Sequence, residues 1–571
     1  MPVSSPIHRP SPMLVCALAL LAWSGSILRS GFSFDDREAI EANPVVEGSL
    51  PWSAAFRRDY WEHLGAAGHY RPLATLALCL DRALYGDRAW GFHATNVLLH
   101  LASVWLLCLV WRRLRGPAAW PWFGISVFAV HPVLADSVAW ISGRSSMLVL
   151  ATGLGAAWAI AALAPPGRRL PASRHWGVAA CAFAGVLLAL CSKEDGVVWV
   201  LALPLVALRH SSKPGASAAA GAVLGTITAL ALRAAALGSP WPSAPHAPLA
   251  GEALLARLAV SGRAIVEGLR LLVLPAAYPP NYRGAALLDP GQGSAGMSLL
   301  ALAGWAWFLA LVVCAGWAVK SRRASTLGWS GVLLALALLP VLQIVPAGEV
   351  FAPRFLYLPL ALAVPIVHGG WTRVFRARRT ALAGGAALLL AFTLGAWSRA
   401  GVYADRASYA LAVLALHPRD ARSWNDLGLA QLEAGRPDAA RRAWLRATRL
   451  DPDYGRAWSN LGAQSMREGR NAEALGPLRR AVQLGPGNPV AHCNLGNCLR
   501  LLERNEEARE VFARATEIAP GMSAAWRGLG RAWLALRRSA EARVALLRAQ
   551  ALDPADETTR ALLLGMDDPV K

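Results

Sequence analysis

Residues 423–452 read SWNDLGLAQLEAGRPDAARRAWLRATRLDP, and the same pattern returns three times further along the chain. Prolines stand at 418, 452, 486, 520 and 554, a period of 34 residues, each with Leu or Ile two positions earlier. A ring recurs at one offset (Trp424, Trp458, His492, Trp526) and a Leu-Gly pair three residues on (Leu427-Gly428, Leu461-Gly462, Leu495-Gly496, Leu529-Gly530). Alanines repeat at 440, 474, 508 and 542, and again at 447, 481, 515 and 549. A fixed period of this length marks stacked supersecondary units, each too small to bury its own apolar face. Small residues where two helices cross, with large ones beside them, are what a helix hairpin needs to pack on its neighbour.

This pattern resembles the tetratricopeptide repeat. The resemblance implies an α-solenoid over residues 401–571, with four 34-residue repeats and a capping helix near 555–565. Stacked hairpins expose an extended groove suited to a protein segment. The alternative is a self-contained brace for the rest of the chain.

Upstream, the composition changes class. The 571 residues are 55% hydrophobic and 16% charged, with a mean hydropathy of +0.36, too apolar for an ordinary soluble protein. Apolar runs near 12–29, 92–111, 119–139, 145–164, 176–192, 195–208, 216–236, 295–318, 325–345, 355–372 and 380–398 predict about eleven membrane spans. The fold class is therefore all-α: a polytopic bundle over 1–400, then the solenoid. The first run has no small-residue cleavage site after it and reads as an anchor. Residues 252–278 could pass for a further span, but five charges interrupt them. We place 252–294 at the outer interface.

The formal net charge of +21 invites a nucleic-acid reading. From residue 419 onward, however, 24 Lys and Arg face 19 Asp and Glu, so most of the excess belongs to the membrane half. There it gathers in alternate loops, such as Arg112-Arg113-Arg115 and Arg373-Arg376-Arg378-Arg379. By the positive-inside rule these loops and the N-terminus are cytoplasmic, and the repeats lie outside, in the periplasm if the chain is bacterial. The charge reports topology, with no nucleic-acid partner. The eight cysteines are scattered without metal-ligand spacing.

The first outer loop, 30–91, is too long for a connector. It opens on adjacent acids, Asp35 and Asp36, and continues through Arg71. His93, Asn96 and His100 share one face of the next span, and point either to a site or to a partner helix. His131, Asp136, Ser137 and Arg144 stand at the outer turn of "HPVLADSVAWISGR", Lys193 and Glu194 in "SKEDG", and Arg354 in "FAPRFLYLP". Basic groups from separate segments facing an acidic loop suit an anionic ligand whose reaction needs a carboxylate.

The acidic pair, "YRPL", "GFHATNVLLH", "AVHPVLADSVAWISGR", "SKE" and "RFLYLP", together with the repeats after them, resemble the transmembrane and tetratricopeptide repeat-containing O-mannosyltransferases and their bacterial relatives. These are C-type membrane glycosyltransferases (GT-C). The resemblance implies a polyprenyl-phosphate monosaccharide as donor, a Ser or Thr hydroxyl as acceptor, and chemistry on the outer face. On that reading Asp35 is the general base, and Asp36 positions it, contacts the donor or helps to ligate a divalent cation. Arg71, His93, His131, Lys193 and Arg354 bind the lipid-linked phosphate, with Asn96, Asp136, Arg144 and Glu194 as secondary candidates. Leu134 and Asp136 stand where relatives carry His and Glu, and Pro353 where they carry Glu. Three other readings compete: a non-catalytic membrane scaffold for envelope proteins; a transporter or flippase for a lipid-linked glycan, which would call for ionisable groups at mid-membrane where these stand at span ends; and a transferase acting on a lipid or glycan.

Overall fold

Pro132 breaks the segment expected to cross the membrane over 119–139. The helix Trp122–Val130 ends after nine residues, because proline lacks an N–H and its ring excludes the preceding turn. His131 caps the next turn, its Nδ1 accepting the Val133 N–H at 3.3 Å. The chain then runs through short turns, Pro132–Leu134, Ala135–Val138 and Ile141–Gly143, all buried. That run is therefore half a span joined to a broken, protein-enclosed path. Irregular backbone at membrane depth is tolerated only where protein surrounds it.

The structure, a computed structural model, describes residues 10–29, 31–33, 36–61, 68–116, 120–165, 170–208, 212–241, 249, 253–280, 282, 298–320, 326–342, 351–375 and 377–567. Among these, seven helices are long and apolar enough to cross a membrane: Ala89–Arg115, Ile141–Leu163, Ala172–Leu190, Lys213–Leu237, Leu299–Trp317, Pro353–Val374 and Arg379–Tyr403. Besides the broken 119–139 run, three of the eleven expected spans are short helices: Pro12–Leu28, Val198–Leu208 and Thr326–Ala337. Leu14, Leu21, Val313, Trp317, Leu390 and Leu394 lie exposed on these helices, an apolar surface that needs lipid to cover it. The described residues contain no strand, only an isolated bridge between Tyr282 and Phe351.

The segment expected at the interface forms the helix Leu254–Val273, which pairs with the span Leu299–Lys320. Gly262 and Gly304 bring the two backbones together. A Cβ at Gly262 would meet Ala301 O at 2.3 Å, and one at Gly304 would meet Gly262 O at 2.0 Å. Small residues at such crossings are the usual device for close helix packing in membranes. Residues 283–294 lie outside the described residues.

The chain divides into two compact units, Met1–Tyr409 and Ala410–Lys571. The second contains four helix pairs, Ala421–Glu433 with Pro437–Leu450, Gly455–Arg467 with Asn471–Leu484, Pro489–Leu501 with Asn505–Ile518, and Ser523–Ala535 with Ser539–Leu552, and then the helix Glu557–Asp567. The repeated glycines explain the period. Gly428, Gly462, Gly496 and Gly530 sit against Trp444, Leu478, Phe512 and Leu546, so close that a Cβ would come within 2.8 Å of the facing side chain. The recurring tryptophans hold each pair to the turn before it: Trp424, Trp458 and Trp526 donate to the carbonyls of Pro418, Pro452 and Pro520 at 2.8 to 2.9 Å. His492, in the third repeat, instead bonds Asn488 O through Nδ1.

Candidate functional site

The broken path exposes carbonyls that no helix satisfies, and polar residues from neighbouring segments meet them. The Asn96 amide donates to Trp140 O at 2.8 Å and more distantly to Val138 O and Ile141 O. His100 donates from Nε2 to Ala129 O at 3.0 Å and accepts the Tyr357 hydroxyl at Nδ1. His131 donates to Leu272 O, and His93 to Gly31 O at 2.9 Å. Arg144 is fully buried, 2.7 Å from the Asp81 carboxylate, and also reaches Phe92 O and Ile141 O. A buried backbone group without a partner is costly, so these bonds give each residue a structural task. The structure thus places His93, His131, Asn96 and Arg144 on backbone or on a buried acid.

Asp36 begins the short helix Asp36–Ile40 of the first loop and is 0% exposed. Its Oδ2 accepts the Ser33 N–H and hydroxyl at 3.1 and 3.2 Å, and its Oδ1 accepts those of Ser142 at 3.0 and 2.9 Å. The carboxylate therefore ties the acidic loop to the broken path. Burial pushes its pKa up to about 6, against the opposing pull of these four bonds. Asp35 lies outside the described residues. This donor set does not fit a divalent ion at Asp36, and among the described residues no three His, Cys, Asp or Glu side chains group together as metal ligands.

A second set of side chains gathers at the ends of the spans. Arg71 reaches Glu194 at 3.3 Å and His69 at 3.4 Å, with its guanidinium 5.9 Å from the Tyr60 ring. Burial raises the Tyr60 phenol to about 12, opposed by Arg71 and Arg144 and assisted by Asp36. Lys193 pairs with Asp195 at 2.6 Å, touches the Ser146 hydroxyl at 3.3 Å, and lies 5.1 Å from the Phe355 ring. Arg354 lies 5.7 Å from that same ring and 4.8 Å from Trp140. Its backbone N–H and its guanidinium both hold Asp136 Oδ2, at 3.0 and 3.2 Å, while Tyr403 donates to Oδ1. A small cleft is lined by Ser146, Val149, Asp195, Ala337, Arg354, Phe355 and Leu358, and Lys193 bonds two of these, Ser146 and Asp195.

Electrostatics agree with this proximity. Burial lowers the Lys193 ammonium, and the charges of Arg71 and Arg354 lower it further, against Asp195. Burial would raise Glu194, but Arg71 and His69 outweigh it and hold the carboxyl well below its ordinary value. Arg233 completes the group, donating to Gly68 O at 2.6 Å and standing 3.9 Å from Glu194. Arg71, Lys193, Arg233 and Arg354 thus face Glu194, Asp195 and Asp136, one positive charge in excess. Such a set can receive an anion that displaces a carboxylate from one or more cations.

Tyr60, Ser142, Ser146, Arg233 and Phe355 escape the sequence reading. Only Arg233 carries a visible signal, as the lone charge within the 216–236 run. The others come from unremarkable positions joined by the fold.

Family comparison agrees with the period. The tetratricopeptide repeat family matches residues 398–447, 425–489 and 493–557, and a second description of that repeat matches 465–520. The chain is 35% identical over 138 residues to protein O-mannosyl-transferase TMTC2 of Mus musculus, covering 24% of this chain and 16% of that protein. It is 36% identical over 141 residues to Tmtc2 of Drosophila melanogaster, covering 24% of this chain and 15% of that protein. With Drosophila Tmtc1, of the same printed activity, it shares 32% identity over 189 residues, 32% of this chain and 21% of that protein. The matched stretch thus spans about a fifth or less of those relatives. A solved structure of MamA protein aligns at 21% identity and TM-score 0.24, over 27% of this chain and 83% of that one. The chain carries tetratricopeptide repeats behind a set of membrane-length helices, and proteins named as O-mannosyl-transferases are among its relatives.

Proposed function

We propose that the chain is a membrane glycosyltransferase that moves a mannose-like monosaccharide from a polyprenyl phosphate to Ser or Thr hydroxyls of proteins on the outer face of the membrane. The observation that carries this reading is the grouping of Arg71, Lys193 and Arg354 from three separate segments: the charges of Arg71 and Arg354 both act on Lys193, and Lys193 and Arg354 flank the Phe355 ring. The names of the relatives supply the sugar and the acceptor class. The lipid phosphate lies against the cations, which take up the charge that grows as it leaves. The acceptor oxygen attacks the anomeric carbon, its proton passes to the Asp35 carboxylate, and the bond to the phosphate oxygen breaks with its electron pair on the phosphate. One base and no carboxylate nucleophile gives a single displacement with inversion, by analogy with glycoside hydrolysis. Asp36 holds the acidic loop against Ser142, and the repeats recruit the acceptor.

The test uses purified protein in nanodiscs, a panel of radiolabelled polyprenyl-phosphate sugars and envelope protein extract. Label enters protein with the parent chain and falls by roughly 100 to 10,000-fold with Asp35→Asn, the contribution of a general base. Labelling by Asp35→Asn at the parent rate, or by neither protein with any donor, overturns the reading.

A further inference from the structure

A short segment at the end of the last span has contacts in two directions. The span Arg379–Tyr403 is followed by Ala404 and Asp405, and then by the helix Arg406–Leu416, within which the first compact unit gives way to the second. Asp405 fastens the start of that helix, its Oδ1 accepting the Ser408 N–H at 2.7 Å and its carbonyl the Tyr409 N–H at 3.1 Å. In one direction lie the cations. Tyr403 is fully buried and donates to Asp136 Oδ1 at 3.1 Å, the carboxylate whose Oδ2 holds Arg354.

In the other direction lies the acidic loop, which the segment meets twice. Gly31 comes so close to Ala404 that a Cβ on it would meet the Ala404 carbonyl oxygen at 2.2 Å. Glu38, on the helix Asp36–Ile40, pairs with Arg406 at 3.7 Å. Residues 403–406 therefore touch the loop before and after its adjacent acids, and touch the partner of Arg354 as well.

The helix Asp36–Ile40 has five residues, and a helix that short has no stability of its own. Ala39 and Ile40 seat it in the apolar core of the loop, and Asp36 fastens it to Ser142. One fastening point sets a place; the second, through residues 403–406, sets the angle relative to Arg354. As a stability device the Glu38–Arg406 pair is poor. It is long, Glu38 is 33% exposed, and pairs of that kind add little to folding. Glu38 Oε2 is moreover buried with no hydrogen-bond partner, a cost that an apolar side chain would not carry. Holding the loop in place gives this weak pair a purpose that stability does not.

We propose that Arg406 and Tyr403 are positioning residues for transfer: through Glu38 and Gly31 on one side and Asp136 on the other, residues 403–406 hold the acidic loop and Arg354 in the mutual arrangement that the displacement needs. The proton acceptor and the cation that takes up the phosphate charge act on one reaction, and misplacing such groups by about 1 Å costs on the order of 100-fold. This deepens the transferase reading given above and rests on it, though the tie itself can be measured without sugar transfer.

The experiment uses the full chain in nanodiscs, with hydrogen exchange of peptides spanning residues 31–41 and transfer kinetics run in parallel. Arg406→Gln and Gly31→Ala each raise exchange in these peptides and lower kcat by roughly 10 to 100-fold, and in Arg406→Gln the KM for the lipid donor and the Tm stay at the parent values. Tyr403→Phe lowers kcat by a similar factor. Arg406→Lys keeps most of the rate, Glu38→Arg with Arg406→Glu recovers more of it than either single change, and Arg441→Gln, on the first repeat's second helix, alters neither readout. Parent-like exchange or parent-like kcat in Arg406→Gln, or a loss confined to KM, overturns the proposal. A collapse of folded yield in Arg406→Gln and Arg406→Lys alike also overturns it, by making the pair a structural brace. The two readings fail separately: parent transfer with unchanged exchange and rate in Arg406→Gln sinks only this one, and raised exchange in Arg406→Gln with no transfer by the parent from any donor keeps the tie and sinks the transferase.

Discussion

Asp36 makes a pH prediction whose sign and size are set by its surroundings. Buried beneath four hydrogen bonds, it has a pKa of about 6, against 3.8 for an ordinary Asp carboxyl. The difference corresponds to about 3 kcal/mol at ~1.4 kcal/mol per unit. Because the folded value lies above the unfolded one, the native chain binds more protons between the two. This contribution to stability is complete below pH 3.8 and is lost as pH rises through 6. Asp36→Asn keeps an acceptor for Ser142 but cannot ionise. The assay is tryptophan-monitored melting of parent and variant in nanodiscs from pH 4 to 7.5, read as the difference between their Tm values so that groups common to both cancel. The parent loses several degrees relative to the variant across this range, with the change centred between the two pKa values. Ser142→Ala removes one of the opposing hydrogen bonds and moves the loss to higher pH. A Tm difference that stays constant across the range refutes the argument that burial dominates at Asp36.

Three further outcomes can be checked. Asp81→Leu strands the Arg144 guanidinium in a fully buried position and costs about 3–5 kcal/mol, seen as lower folded yield and Tm, while Asp81→Leu with Arg144→Met recovers most of it; recovery of transfer as well would place Arg144 in the brace alone. Arg354→Gln lowers transfer by roughly 100 to 1,000-fold, as expected for one charge-stabilising donor, and adding Asp136→Asn restores the melt without restoring transfer; restored transfer would make the pair structural. In the repeats, Gly435 and Gly469 take positive φ at the turn between helices, whereas the equivalent Glu503 and Arg537 do so with side chains, both at φ of 60°. Glu503→Gly and Arg537→Gly each raise the stability of the repeat unit by about 1 kcal/mol in denaturant melts, and a loss in both would refute the strain.

The repeats are legible because each position does one job. Gly428, Gly462, Gly496 and Gly530 must be small for the same side-chain approach, so the period appears in the letters themselves. The membrane helices are legible as composition, but their breaks are not. Between Trp120 and Ile141 nearly every residue is apolar, and an apolar run on all sides has no periodicity to show where helix ends. Only Pro132 hints at it, and proline also occurs inside intact helices here, as Pro204 and Pro365 do. The charged residues of the cleft could be picked out by type, yet not paired. Asn96 meets Trp140 across 44 positions and Arg354 meets Asp136 across 218, and no spacing rule reaches that far.

The polar residues of the membrane unit separate into two kinds once their partners are known. His93, Asn96, His100, His131 and Arg144 satisfy backbone carbonyls or a buried acid, so each has a structural task. Arg233 both meets Gly68 O and stands near Glu194, while Arg71, Lys193 and Arg354 serve no such need. Their partners are three carboxylates, and buried ion pairs of that kind often contribute less to stability than apolar residues of the same volume would. Folding alone therefore gives little reason to group Arg71, Lys193 and Arg354 with Glu194, Asp195 and Asp136. Under the proposed function the reason is the ligand: the carboxylates hold the cations extended and partly neutralised while the cleft is empty, and a phosphate that arrives and leaves exchanges with them. An array of cations without carboxylates would bind the departing lipid phosphate too tightly for turnover, and a fully neutralised one would not stabilise its growing charge.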